Sequence, residues 1–118
     1  MAYGFRRFTR RNDFRASGSG LINYDPEKID KRCLKIAFDT SAKMGFQSMA
    51  YDFLLNENNE PEICEMSYTY QDKALFDCPG IWDNSLNWID GHYWPGFLHL
   101  KDLLGIKNLQ QPKEILFQ

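Results

Sequence analysis

The sequence predicts a small α+β domain, and three observations carry that prediction. A long amphipathic helical pattern is followed by two strand-like segments, and a polar turn joins those two segments. The 118 residues suit one domain, and apolar and charged contents of 43% and 25% are ordinary for a soluble protein. No apolar run approaches the roughly 20 residues of a membrane span. We therefore expect a small antiparallel sheet with one main helix packed on it.

The N-terminal part of the sequence predicts a strand over residues 3–10 and a flexible, small-residue loop over residues 16–20. The first 15 residues hold five arginines and one aspartate, whereas the rest of the chain is acidic. A basic strip beside an acidic body fits nucleic acid, and it fits equally well a phosphate ligand that also needs a metal ion. For the arginines that precede Arg15, a strand edge protected from aggregation by charge is the plainer alternative.

A helix is predicted over residues 26–44. Asp25 is a typical N-cap, Pro26 suits the first helical position, and Gly45 is typical of a helix end. The apolar side of this helix comprises Ile29, Cys33, Ile36, Ala37, Thr40 and Met44. We expect that side to cover one face of the sheet.

A β-hairpin is predicted from two strands, over residues 46–55 and 61–69, with a polar turn between them. Asparagine tolerates the positive φ that tight hairpin turns require, so we take Asn58 and Asn59 as the two central turn residues. This choice fixes which residues face each other across the hairpin.

The resulting register sets Asp52 directly opposite Glu65. On the same side it pairs Leu54 with Ile63 and Ala50 with Ser67. Directly opposed Cβ atoms lie about 4.5–5.5 Å apart, where two carboxylates need a cation, a shared proton or free solvent. Oxygen ligands at this separation suit Mg²⁺. The alternative is that both carboxylates are simply solvated on an open sheet face, and a one-residue slip would turn one of them away.

Residues 70–118 form an aromatic-rich segment that extends the predicted core of residues 3–69. This segment holds all three tryptophans, and a short helix is predicted over residues 97–104. The aromatic side chains of residues 68–97 either belong to a hydrophobic core, or form a surface that another lobe covers or that stacks a base or a sugar. The three widely spaced cysteines argue against a disulfide framework and fit a cytoplasmic protein.

The segment YDFLLNENNEPEICEMS, which contains Asp52, Glu65 and Ser67, resembles the metal-binding hairpin of the ATP-grasp superfamily. That signature is an Asp on one strand, then Glu-x-Asn on the next, and Ser67 stands here at the Asn position. The preceding helix and the upstream segment DFRASGSG, which holds Arg15, also resemble the family's order of elements. The matched positions span residues 13–67, about half of the chain.

This resemblance implies the C-terminal part of an ATP-dependent ligase, which activates a carboxylate as an acyl phosphate before an amine or thiol displaces the phosphate. It assigns Mg²⁺ (or Mn²⁺) to Asp52, Glu65 and Ser67, with Glu65 bridging two ions. It assigns stabilisation of the transferring phosphoryl group to Arg15. The small-residue loop would add a backbone nest for phosphate, comprising Ser17, Gly18, Ser19 and Gly20.

The resemblance also implies a second lobe, because ATP-grasp enzymes hold ATP between two lobes. The sequence shows no such lobe upstream of Tyr3, so we expect residues 1–118 to be a single partial domain. The N-terminal lobe would then lie in the same or another chain, a homo-oligomer is possible, and the isolated chain would show weak or no turnover. The competing hypothesis is a non-enzymatic α+β module that binds a protein or nucleic acid through its arginine strip and aromatic surface.

Overall fold

The computed structural model describes residues 1–9, 11–12 and 21–113, and within them the chain has an α+β fold. Three helices alternate with three small antiparallel sheets of two strands each. The strands are β1 (Arg6–Arg7), β2 (Ile22–Asn23), β3 (Ala50–Leu55), β4 (Pro61–Ser67), β5 (Gly80–Trp82) and β6 (Trp88–Asp90). The helices are α1 (Lys31–Met44), α2 (Asp72–Phe76) and α3 (Pro95–Leu104). None of the helices in this described part is long and apolar enough to cross a membrane.

The sheets differ from the single sheet that the sequence predicts. In each sheet a strand pairs only with its neighbour in sequence: β1 with β2, β3 with β4, and β5 with β6. Four of these strands have only two or three residues, so they offer few backbone groups to a further strand. A strand is predicted over residues 3–10, but within the described residues the observed strand is β1, which has two residues. Ala2 forms an isolated bridge with Trp82.

The main helix begins later than predicted, because two aspartates cap two separate turns. Asp25 accepts a hydrogen bond from the Glu27 N–H at 3.0 Å, but it caps only a short 3-10 turn over Pro26–Lys28. Asp30 then accepts from the Arg32 N–H at 2.9 Å and begins α1. At the other end, Gly45 takes a φ of +71°, which confirms the predicted helix end.

The buried core draws mainly on the segment that follows the hairpin. The buried hydrophobic core of the described part comprises Leu34, Ala74, Cys78, Ile81, Trp82 and Phe97, of which only the first precedes residue 70. The rings of Trp82 and Trp88 meet edge to face with centroids 4.6 Å apart. Gly80 is required there, since a Cβ at this position would lie 2.3 Å from the Trp88 ring. Trp82 and Phe97 therefore belong to the core, which is the first predicted alternative, whereas Tyr68 is 75% exposed.

Candidate functional site

The β3–β4 hairpin sets Asp52 directly opposite Glu65, and this confirms the predicted pairing. The predicted pairing of Ala50 with Ser67 is confirmed as well. Nearer the turn the prediction is wrong by one residue, because Leu54 faces Glu62 rather than Ile63. The register shifts between Asp52 and Phe53, where β4 contains one extra residue.

The hairpin departs from a regular two-residue hairpin in two places. Each departure moves the pairing by one residue, and the two compensate each other at the pair Asp52 and Glu65. The loop has three residues rather than two, since the Asn56 N–H donates to the Glu60 carbonyl and Asn59 takes a φ of +59°. Asn56 Oδ1 also accepts from the Asn58 and Glu60 N–H groups at 2.9 and 3.0 Å, which holds the loop closed. Cys64 is the extra residue, a β-bulge that restores the expected register beyond it.

The carboxylate pair lies on the side of the hairpin that faces away from α1. Tyr51 points towards α1, because its hydroxyl lies 2.6 Å from the Ser41 hydroxyl. Neighbouring residues of a strand point to opposite faces, so Asp52 and its partner Glu65 face the other way. Both side chains are exposed.

Ser67 shares this face, two positions beyond Glu65, and its hydroxyl is already hydrogen bonded. Its Oγ accepts the Thr69 N–H at 3.1 Å and lies 3.1 Å from Thr69 Oγ1. If Ser67 donates its proton to Thr69, one lone pair of Oγ stays available for a cation. The arrangement therefore offers two carboxylates and one hydroxyl on a single open face.

The bulge adds a third carboxylate, that of Glu62, to this face, and the regular alternation of the sequence does not predict it there. Without the bulge, Glu62 and Glu65 would alternate to opposite faces, but the extra residue at Cys64 brings both to the same one. Glu62 accepts a hydrogen bond from the Asn56 side-chain amide at 2.8 Å. Cys64 itself is exposed, and its thiol lies 3.3 Å from the Asp52 carbonyl oxygen.

A cleft of about 1550 Å³ is lined by the carboxylate pair and by part of the arginine strip. Asp52, Glu65 and Ser67 belong to its wall, and so do Arg6 and Arg7 of β1. Its wall also includes residues of α1 such as Leu34 and Ser41, so the cleft reaches both faces of the hairpin. Acidic and basic residues both belong to the wall of this space.

The other predicted site residues, which are Arg15, Ser17, Gly18, Ser19 and Gly20, lie outside the residues that the structure describes. Within residues 1–9, 11–12 and 21–113, no group of three or more His, Cys, Asp or Glu side chains is placed to hold a metal ion. The candidate site consequently consists of the opposed pair with the Ser67 hydroxyl.

Comparison with known proteins gives no assignment: no family model, no curated protein and no solved structure matches this chain.

Proposed function

We propose that this chain is the metal-binding, C-terminal part of an ATP-dependent ligase of the ATP-grasp type. The observation that carries the proposal is the register of the hairpin, in which Asp52 lies opposite Glu65. This pairing is the central feature of the signature that the sequence resembles. Ser67 faces the same side at the position where that signature has its last oxygen ligand.

The donor set of this face fits Mg²⁺ or Mn²⁺. Like charges directly opposed across a hairpin are destabilising, and a divalent cation between them removes that cost. Mg²⁺ is usually held by one or two carboxylates, with water and substrate phosphates completing its shell. Asp52 and Glu65 would hold the metal, and Ser67 would supply a weaker oxygen through the lone pair that Thr69 leaves available. When bound, the metal supplies charge neutralisation on the ATP phosphates.

The basic side of the cleft supports the phosphate half of the proposal. Arg6 and Arg7 are exposed and line the same cleft as the carboxylate pair. Their guanidinium groups can bind phosphate oxygens with two parallel hydrogen bonds. Arg15 is proposed to stabilise the transferring phosphoryl group, and the loop from Ser17 to Gly20 to cradle ATP phosphate.

The proposed reaction joins a small carboxylate to an amine or thiol at the expense of ATP. It requires a second lobe for the adenine and the remaining phosphate contacts, either elsewhere in the same polypeptide or in another chain. We expect this chain alone to turn over ATP weakly or not at all. Its three cysteines are unpaired, which fits a cytoplasmic location for such an enzyme.

Calorimetric titration of the purified chain with Mn²⁺ tests the proposal. Asp52→Asn and Glu65→Gln should each weaken Mn²⁺ binding at least about tenfold, because each removes an anionic ligand. Glu57→Gln is the matched control, since it removes one exposed carboxylate from the turn of the same hairpin and should leave the affinity unchanged. Equal binding by the wild type and both site variants would refute the metal assignment. ATP turnover by the isolated chain would refute the need for a second lobe.

A second candidate function is binding of nucleic acid, and the surroundings of β1 favour it. The Arg6 guanidinium lies 5.8 Å from the Phe8 ring centroid, and that of Arg7 lies 5.4 Å from the Phe5 ring centroid. Exposed arginines beside aromatic rings are common in surfaces that bind single strands. A labelled oligonucleotide whose binding is salt-dependent in the wild type and lost in Arg6→Gln/Arg7→Gln would favour this function. Mn²⁺ binding without oligonucleotide binding favours the ligase.

A further inference from the structure

A second, smaller cavity of about 500 Å³ lies between the turn after α1, the segment after β4, and α3. This volume is within the range of pockets that hold small molecules. None of the residues that line it in the described part of the chain is an Asp, Glu, Lys or Arg. It adjoins the larger cleft, since Phe46, Gln47, Ser48, Tyr70 and His99 line both, and it forms an uncharged end whose lining suits a neutral ligand.

Two aromatic rings form a corner in the wall of this cavity. The rings of Phe46 and Tyr68 meet edge to face, with centroids 6.3 Å apart and planes at 84°. Tyr68 is 75% exposed, so its ring is held at the mouth of the cavity rather than in the core. Perpendicular rings do not make a parallel slot for a flat base. They leave one open aromatic face, against which the C–H groups of a puckered ring can pack.

The polar groups of the wall share one property: each can both donate and accept a hydrogen bond. The Ser48 and Tyr70 hydroxyls lie 2.9 Å apart, and since their mutual bond uses one proton, the other remains available to a ligand. The side chain of Gln47 is exposed and carries an amide. His99 contributes its ring to the wall, and its Nε2 is buried without a hydrogen-bond partner in the described structure.

We propose that this cavity binds a neutral pyranose sugar. Sugar hydroxyls also both donate and accept, so they match the hydroxyl pair, the amide of Gln47 and either tautomer of His99. The apolar side of the sugar ring would pack on Tyr68, which explains why a large aromatic residue is kept exposed there. The proposed sugar contacts include none of the proposed metal ligands, so Asp52→Asn should leave sugar binding unchanged.

Saturation-transfer NMR with methyl glucopyranoside and N-acetylglucosamine at millimolar concentration tests this site, with uridine as the flat-base probe. The wild type should transfer saturation to the sugar C–H groups of at least one of the two. Tyr68→Ala should weaken sugar binding at least about tenfold, as loss of an aromatic stacking platform does elsewhere, while Tyr68→Phe should retain it. Phe8→Ala is the matched control, because it removes another exposed aromatic side chain, 44% exposed and outside the cavity.

The proposal fails if neither sugar receives saturation, if Tyr68→Ala binds as the wild type does, or if only uridine binds. Tyr68 is exposed, so Tyr68→Ala should keep the fold, which circular dichroism checks. If that variant is unfolded, Gln47→Ala decides the matter, since it removes one exposed amide and should weaken sugar binding without altering the circular dichroism spectrum. Unchanged sugar binding in a folded Gln47→Ala would then overturn the proposal.

Discussion

At the residue scale, the cysteines of this chain lie in sharply different surroundings. Cys64 is exposed at the bulge, whereas Cys78 is only 1% exposed and packs in the core. Burial raises the pKa of the Cys78 thiol from 9.0 to about 12. Only the thiolate attacks electrophiles, so a buried thiol with a raised pKa is nearly inert at neutral pH.

We therefore expect iodoacetamide to alkylate Cys64 at least about a hundredfold faster than Cys78 at pH 8. Peptide mass spectrometry over a time course measures both rates in the same sample. In denaturant the two rates should converge, because the difference comes from the fold and not from the local sequence. Equal rates in the native protein would mean that Cys78 is accessible and that the core described around Trp82 opens readily.

The carboxylate pair shows how well the position of a single residue in the fold can be predicted from the sequence. Opposed Asp52 and Glu65 follow from a symmetric hairpin, and the structure agrees with that pairing. The agreement depends on two features that the sequence pattern does not reveal, the three-residue loop and the bulge at Cys64. A bulge depends on how a strand twists against its surroundings, and no local residue preference at Cys64 predicts it. Glu62 was missed for the same reason.

At the element scale, the start of α1 is decided by competition between two aspartates. The sequence pattern favours Asp25 as the N-cap, because a proline follows it. In the structure the side chain of Asp30 accepts a hydrogen bond from the Arg32 N–H and is the N-cap of α1. The interruption follows from Ile29, whose N–H bonds back to the Pro26 carbonyl at 3.3 Å and closes the 3-10 turn. Helical periodicity continues through such a break, so the hydrophobic pattern alone cannot locate it.

Asp30→Ala should lower the free energy of unfolding by about 1 kcal/mol, because it removes the N-cap of a helix of 14 residues. Asp25→Ala should cost clearly less, since Asp25 caps only three residues. Urea denaturation followed by circular dichroism measures both. A larger loss in Asp25→Ala would instead indicate one continuous helix from Pro26.

Asp30→Asn separates capping from charge. Asparagine caps about as well as aspartate but cannot form the ion pair with Arg32, so at neutral pH Asp30→Asn should lose only the contribution of the charge. Hydrogen bonds from Arg32 lower the pKa of Asp30 below its ordinary value of 3.8, so the charged side chain contributes stability that is lost as pH falls through its folded pKa. The wild type should therefore lose more stability on acidification than Asp30→Asn does.

At the scale of the whole molecule, the candidate metal site and the core occupy different parts of the fold. No residue of β3 or β4 is fully buried, whereas all three residues of β5 are. The apolar residues of the hairpin sequence do not reveal this difference in burial between the hairpin and β5, because burial depends on what packs over a strand. The hairpin thus carries the proposed chemistry on the less protected part of the molecule, where opposed carboxylates can be ordered by a cation.

Hydrogen exchange should report this division directly. Regions with few buried contacts open locally, so amides of β3 and β4 should exchange at least about tenfold faster than the N–H of Trp82, which bonds to the Ala2 carbonyl at 2.9 Å. Added Mg²⁺ should slow exchange in the hairpin and leave β5 unchanged, because a ligand stabilises the region that it bridges. Mass spectrometry of deuterated peptides measures both effects, with Asp52→Asn as the control that should not respond to Mg²⁺. Uniform exchange across hairpin and core would show one cooperative unit, and a Mg²⁺ response retained in Asp52→Asn would place the cation elsewhere.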